Sequence, residues 1–103
     1  MEYRLDIFEK NTGILLSRLA ANCKKRRLDK GYSRKTLSEL TGVPAPTIEH
    51  FERTGNISLG SFCKIAVEFD YFDEMAAIMN HTKYTTSSEL EAINNNKNRI
   101  KGR

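Results

Sequence analysis

Tryptophan is absent from this 103-residue chain, and histidine, cysteine and proline each occur only twice. Each scarcity closes a class of function. His50 and His81 lie in separate segments, with no histidine-cysteine or serine-histidine-acid arrangement supported by spacing, so no enzyme activity is expected. A metal-dependent nuclease would want several clustered carboxylates, whereas the acids here fall on helix surfaces. No cofactor is expected.

Cys23 and Cys63 sit in apolar patterns and lack a second pair at zinc-ligand spacing; they read as small core residues in a reducing compartment, not as a disulfide or a metal site. No apolar run approaches the roughly 18 residues of a membrane span. The start, Met1-Glu2-Tyr3-Arg4, lacks a signal-peptide profile, so the expected location is cytoplasmic with no membrane partner.

What the chain does have is basic charge, unevenly spread. The net charge is +4 with a pI near 9.2, a mild bias toward polyanionic partners. Residues 18–35 hold eight basic side chains (Arg18, Lys24, Lys25, Arg26, Arg27, Lys30, Arg34 and Lys35) against Asp29 alone. Residues 66–82 hold Glu68, Asp70, Asp73 and Glu74 with no lysine or arginine. One face should be basic and another acidic. With 39% hydrophobic residues there is material for one small core, hence one domain with tails.

The apolar spacing divides the chain. Tyr3, Leu5 and Ile7 alternate with Arg4 and Asp6, which suits a short extended arm over residues 1–11. From Thr12 the period becomes helical: Leu15, Leu16, Leu19, Ala20, Cys23 and Leu28 form a stripe, Arg18, Lys24, Lys25 and Arg26 take the wet side, and Gly31 caps the end. Ser33 is a good N-cap for a second helix that buries Leu37 and Leu40 and closes at Gly42. Pro44 and Pro46 are tolerated only in a first turn, which fixes the start of a third helix carrying Ile48 and Phe51 inward. Ser58 caps a fourth helix with Leu59, Phe62, Ile65, Ala66 and Phe69 buried, and residues 71–79 make a fifth with Phe72, Met75, Ile78 and Met79 apolar, Met75 and Met79 as core. Residues 81–103 turn polar and basic; Ser88 and Glu91 fit a capping box before one marginal helix, and the rest has too little to bury to fold alone.

Leu37 and Leu40, a break at Gly42-Val43, then Ile48 and Phe51 is the pattern of two short helices joined by a tight turn, whose second helix can lie in a DNA major groove. Together with Arg27, Ser33, Thr47-Ile48, Glu52, and the stretch Ser58-Leu59 to Lys64-Ile65-Ala66, it resembles the Xre/Cro-type helix-turn-helix family, which includes lambdoid phage repressors and antitoxins. The resemblance covers residues 12–80. It implies an all-α fold, a compact five-helix bundle of the lambda-repressor-like type with an N-terminal arm and a flexible basic C-terminal tail. It also implies an ion pair between Arg27 and Glu52 that fixes the angle of the reading helix.

The resemblance further implies DNA contacts. The start of helix 2 would meet phosphates through Ser33, Arg34 and Lys35, with Arg34 standing where relatives often carry glutamine. The front of helix 3 would meet bases through Ala45, Pro46, Thr47, Glu49 and His50. Ala45 and Pro46 offer only apolar contact, so discrimination would lean on Thr47 and His50, with Glu49 accepting from cytosine. Arg53 and Asn56 would bind phosphate. Lys24, Lys25 and Arg26 read as a solvated helix face. The expected partners are double-stranded DNA with two-fold symmetry and a second copy of the chain, the two reading helices lying about 34 Å apart.

The stretch Phe51-Glu52-Arg53-Thr54-Gly55-Asn56-Ile57-Ser58-Leu59 with the basic tail is similar to HipB-type antitoxins, which repress their own operon and bind a HipA-like kinase toxin. The implied function is an autoregulating antitoxin. The alternatives are a phage-type or stand-alone regulator, and a protein-protein adaptor that has lost DNA readout.

Overall fold

The computed structural model describes residues 11–82 and, beyond them, Asn94. Five helices follow one another: α1 (Thr12–Asp29), α2 (Arg34–Thr41), α3 (Ala45–Thr54), α4 (Leu59–Glu68) and α5 (Phe72–Ala77), with no strand among the described residues. The all-helical expectation holds. The expected arm and tail, including the capping box at Ser88, lie outside the described residues apart from Asn11, His81, Thr82 and Asn94.

Five of the helix boundaries have a local chemical cause. Asn11 caps α1, its Oδ1 accepting the backbone N–H of Ile14 at 2.9 Å. Ser33 and Ser58 cap α2 and α4 in the same way, through the N–H groups of Thr36 (3.0 Å) and Ser61 (3.2 Å). At the C-termini a threonine-glycine doublet recurs. The Thr41 hydroxyl donates to the Leu37 carbonyl at 2.7 Å and accepts the Val43 N–H at 3.1 Å, while the Thr54 hydroxyl donates to the His50 carbonyl at 2.7 Å and accepts the Asn56 N–H at 3.1 Å. The following Gly42 and Gly55 take φ of 79° and 83°, the left-handed region that a side chain resists.

α3 packs on α1 and α2, and α4 packs on α2 and α5. Between them Leu37, Val43, Ile48, Ile65 and Phe69 form a buried cluster, against which Cys23, Tyr32 and Ile57 are packed. Phe51 is equally buried and meets Phe62 edge-on, ring centroids 5.8 Å apart. Each such side chain contributes about 1.5–3 kcal/mol by leaving water. Gly55 has a second constraint besides its φ: a Cβ there would lie 3.2 Å from the Leu16 backbone, so the end of α3 rests directly on α1.

The expected buried stripes prove too wide. Leu15, Leu28, Leu40 and Leu59 are all substantially exposed. On α1, Leu15 and Leu16 are adjacent and point about 100° apart, and it is Leu16 that is partly covered. α5 is shorter than the expected 71–79, because Ile78 leaves the helix at ψ 128° and Met79 takes a φ of 61°. Met75 is half-buried, but Met79 is 90% exposed, so the reading of Met79 as core is wrong. Phe72 and Ile78 are exposed as well, which leaves three large apolar side chains in and just after α5 uncovered.

Candidate nucleic-acid interface

The segment joining α2 to α3 is three residues long and stiff. Gly42 supplies the left-handed turn, Val43 inserts into the core at 1% exposure, and Pro44 sets φ at −58° one residue before α3. Pro44 offers no side-chain cap, but its carbonyl accepts the N–H groups of Thr47 (2.9 Å) and Ile48 (3.1 Å), and Pro46 falls in the first turn where its missing N–H removes no bond. With Ile48 and Phe51 facing inward, Pro46, His50 and Arg53 are exposed on the other side, and Ala45, Thr47 and Glu49 are half-exposed at its flanks. Six of the expected contact residues therefore share one accessible strip of α3.

The strip is anchored by one carboxylate. Glu52 accepts Arg27 Nε on Oε2 at 2.7 Å and Arg27 Nη2 on Oε1 at 3.0 Å, while Arg27 Nη1 donates to the Tyr32 carbonyl at 2.8 Å. Both side chains are nearly closed to water, at 6% for Arg27 and 4% for Glu52. The expected Arg27–Glu52 pair is present, bidentate and buried. It joins the C-terminal part of α1 to the last turn of α3.

A second arginine reaches the same carboxylate, which sequence reasoning missed. Arg34 Nε donates to Glu52 Oε1 at 3.0 Å while its side chain stays 42% exposed. Eighteen residues separate the two, and no local spacing announces the contact. Burial pushes the Glu52 carboxyl up, but the hydrogen bonds from Arg27 and Arg34, followed by the charges of both, outweigh it and hold the group below its ordinary value. Two cations on one anion leave the cluster with a net positive charge at the start of α2.

Of the remaining expected residues, Ser33 is exposed but engaged: its oxygen accepts the Thr36 N–H and its hydroxyl donates to Thr36 Oγ1, both at 3.0 Å. Lys35 and Asn56 are exposed. Arg53 donates from Nε to Glu49 Oε2 at 3.1 Å, and its Nη2 lies 3.4 Å from His50 Nδ1. The four-residue spacing of Glu49 and Arg53 was the available signal for that pair. Lys25 and Arg26 approach Asp29 at 3.8 and 3.6 Å; Lys25 is exposed, in line with a solvated face, whereas Arg26 is half-buried with its Nε closed to water.

Elsewhere, a groove of about 490 Å³ runs between α1, α4 and α5, lined chiefly by Leu19, Cys23, Phe62, Ala66, Met75 and Ile78. Burial first, and the Glu52 charge second, push the Cys23 thiol up to about 11, so it is protonated at neutral pH and behaves as a small apolar side chain. Among the described residues no group of three or more His, Cys, Asp or Glu could hold a metal ion, and no helix is long and apolar enough to cross a membrane. Comparison of the chain with protein-family models, curated proteins and solved structures returns no match.

Proposed function

We propose that this chain is a sequence-specific DNA-binding repressor of the Xre/Cro helix-turn-helix type, acting without covalent chemistry in the cytoplasm. The observation that carries the reading is the α3 strip: six candidate contact residues on an accessible face, with the helix behind them braced to α1 by a buried bidentate pair. A reading helix has to enter a groove at a set angle, and the guanidinium fork supplies the directionality that apolar contacts lack. The net positive cluster around Glu52 and the exposed Lys35 supply attraction for phosphate beside it.

The repressor binds as a homodimer, since one such helix makes too few contacts for tight binding and a two-fold operator doubles them. The uncovered Phe72, Ile78 and Met79 support α5 and the turn that follows it as the dimer surface. The likeness of the α3–α4 sequence to HipB-type antitoxins supports the narrower role of an autoregulating antitoxin with a HipA-like kinase partner, and a phage-type or stand-alone regulator is the alternative within the same class.

The test is a gel shift with the DNA upstream of its own coding sequence, repeated at rising salt. Steep weakening with salt is expected if phosphate contacts dominate. One observation favours a second reading, a protein-protein adaptor: Ala45 and Pro46 put no side-chain donor or acceptor at the leading end of α3. Absence of any shift at low salt would select that reading.

A further inference from the structure

Two arginines on the α2 and α3 surface are held in the same manner. Arg34 gives its Nε to Glu52 at 3.0 Å, and Arg53 gives its Nε to Glu49 at 3.1 Å. Both carboxylates belong to α3, and both guanidinium groups are on side chains that stay open to solvent, at 42% and 61%. Glu52 does not need Arg34 to be satisfied, because Arg27 already supplies it with two hydrogen bonds. The Arg34 charge is thus surplus to the brace.

Nε is the inner nitrogen of the fork. Gripping it fixes the plane of the guanidinium while the terminal nitrogens form its outer edge, the edge that matches two oxygens of a phosphate. An unheld arginine surrenders much rotamer freedom when it binds, so one fixed beforehand binds at lower entropic cost. Arg53 has a further neighbour on this edge, His50 Nδ1 at 3.4 Å from Nη2, which steadies the same orientation.

We propose that Glu49 and Glu52 are positioning residues, each holding an arginine by Nε so that the outer edge of Arg53 or Arg34 meets a DNA phosphodiester oxygen, and that Glu49 reads no base. This rests on the DNA-binding reading above and replaces the assignment of Glu49 to cytosine. The sign of one substitution decides it. A glutamate that merely sits beside DNA repels phosphate, so removing it would tighten binding; a glutamate that holds an arginine weakens binding when removed.

The experiment uses the full chain and two labelled duplexes, the DNA upstream of its coding sequence and a random-sequence duplex of equal length, across a salt series. Glu49→Ala is expected to weaken both duplexes alike, by about two- to tenfold, the scale of ordering one arginine side chain. The slope of log K against log salt should fall by about 0.9 in Arg53→Ala, which removes one phosphate contact, and stay nearly unchanged in Glu49→Ala, whose freed arginine keeps its charge. In an Arg53→Ala background Glu49→Ala should cause no further loss, and Glu49→Gln, which keeps an acceptor, should retain most of the affinity. Arg34→Lys keeps the charge but has no inner nitrogen to grip, so it should lose a clear part of the affinity that Arg34→Ala loses.

Failure of the unaltered protein to bind either duplex removes the DNA-binding reading, and this inference with it. If the unaltered protein binds, the inference alone is overturned by tighter binding of Glu49→Ala, by a loss confined to the upstream duplex and absent on the random-sequence one, or by a loss that persists without Arg53. Full affinity in Arg34→Lys overturns the part assigned to Glu52.

Discussion

Arg27 and Glu52 meet through two hydrogen bonds of 2.7 and 3.0 Å in a site almost closed to water. A buried pair of this kind is costly to break by halves, because the remaining charge is left without its counter-ion. Glu52→Ala should therefore destabilise the fold by about 3–5 kcal/mol. Arg27→Ala should cost less, since Arg34 stays on the carboxylate. The joint replacement Arg27→Met with Glu52→Leu should be more stable than Glu52→Ala alone. Urea unfolding of the three variants measures this; a joint variant less stable than Glu52→Ala would mean that the pair stabilises the bundle outright as well as orienting α3.

The same carboxylate makes stability depend on acid. Glu52 is held below its ordinary value of 4.5 when folded, so the unfolded chain takes up its proton first as pH falls. Its contribution is complete above the unfolded value and disappears as pH drops from about there through the folded value. Melting temperatures measured downward from neutral pH should decline in that acid window, and the decline should be shallower in Glu52→Gln.

Gly42 and Gly55 share a left-handed φ but not their surroundings. A Cβ at Gly42 meets nothing within 4 Å, whereas at Gly55 it meets the Leu16 backbone at 3.2 Å. Gly42→Ala should cost about 1–2 kcal/mol from the backbone alone, and Gly55→Ala distinctly more. Equal costs in chemical denaturation would show that the contact with α1 relaxes freely.

Met79 and Ile78 stand outside the core although both were expected to join α5. On the proposed dimer, Ile78→Ser with Met79→Ser should abolish self-association in sedimentation analysis. The monomer should keep its stability to within about 1 kcal/mol, two surface substitutions at about 0.5 kcal/mol each. Unchanged self-association would move the dimer surface elsewhere.

How much of this was legible beforehand depends on the range of the interaction. The serine caps at Ser33 and Ser58, the glycine stop at Gly42 and the prolines opening α3 are contacts within four residues, and the expected boundaries match the observed ones closely. The Thr54-Gly55 stop repeats the Thr41-Gly42 doublet and could have been found by comparing the two. The Arg27–Glu52 pair came from resemblance alone, since twenty-five residues of chain separate the partners. Arg34 was expected at the start of α2, but its hold on Glu52 was not.

Helix identity, order and the termini marked by caps, glycines and prolines were written in the chain, because capping and turn chemistry act through neighbours a few residues away. Which leucines are covered, where α5 stops, and which carboxylate grips which arginine were settled only when distant segments met. Burial and ion pairing depend on what the opposite surface offers, and apolar spacing along one helix carries no record of how wide the facing helix is.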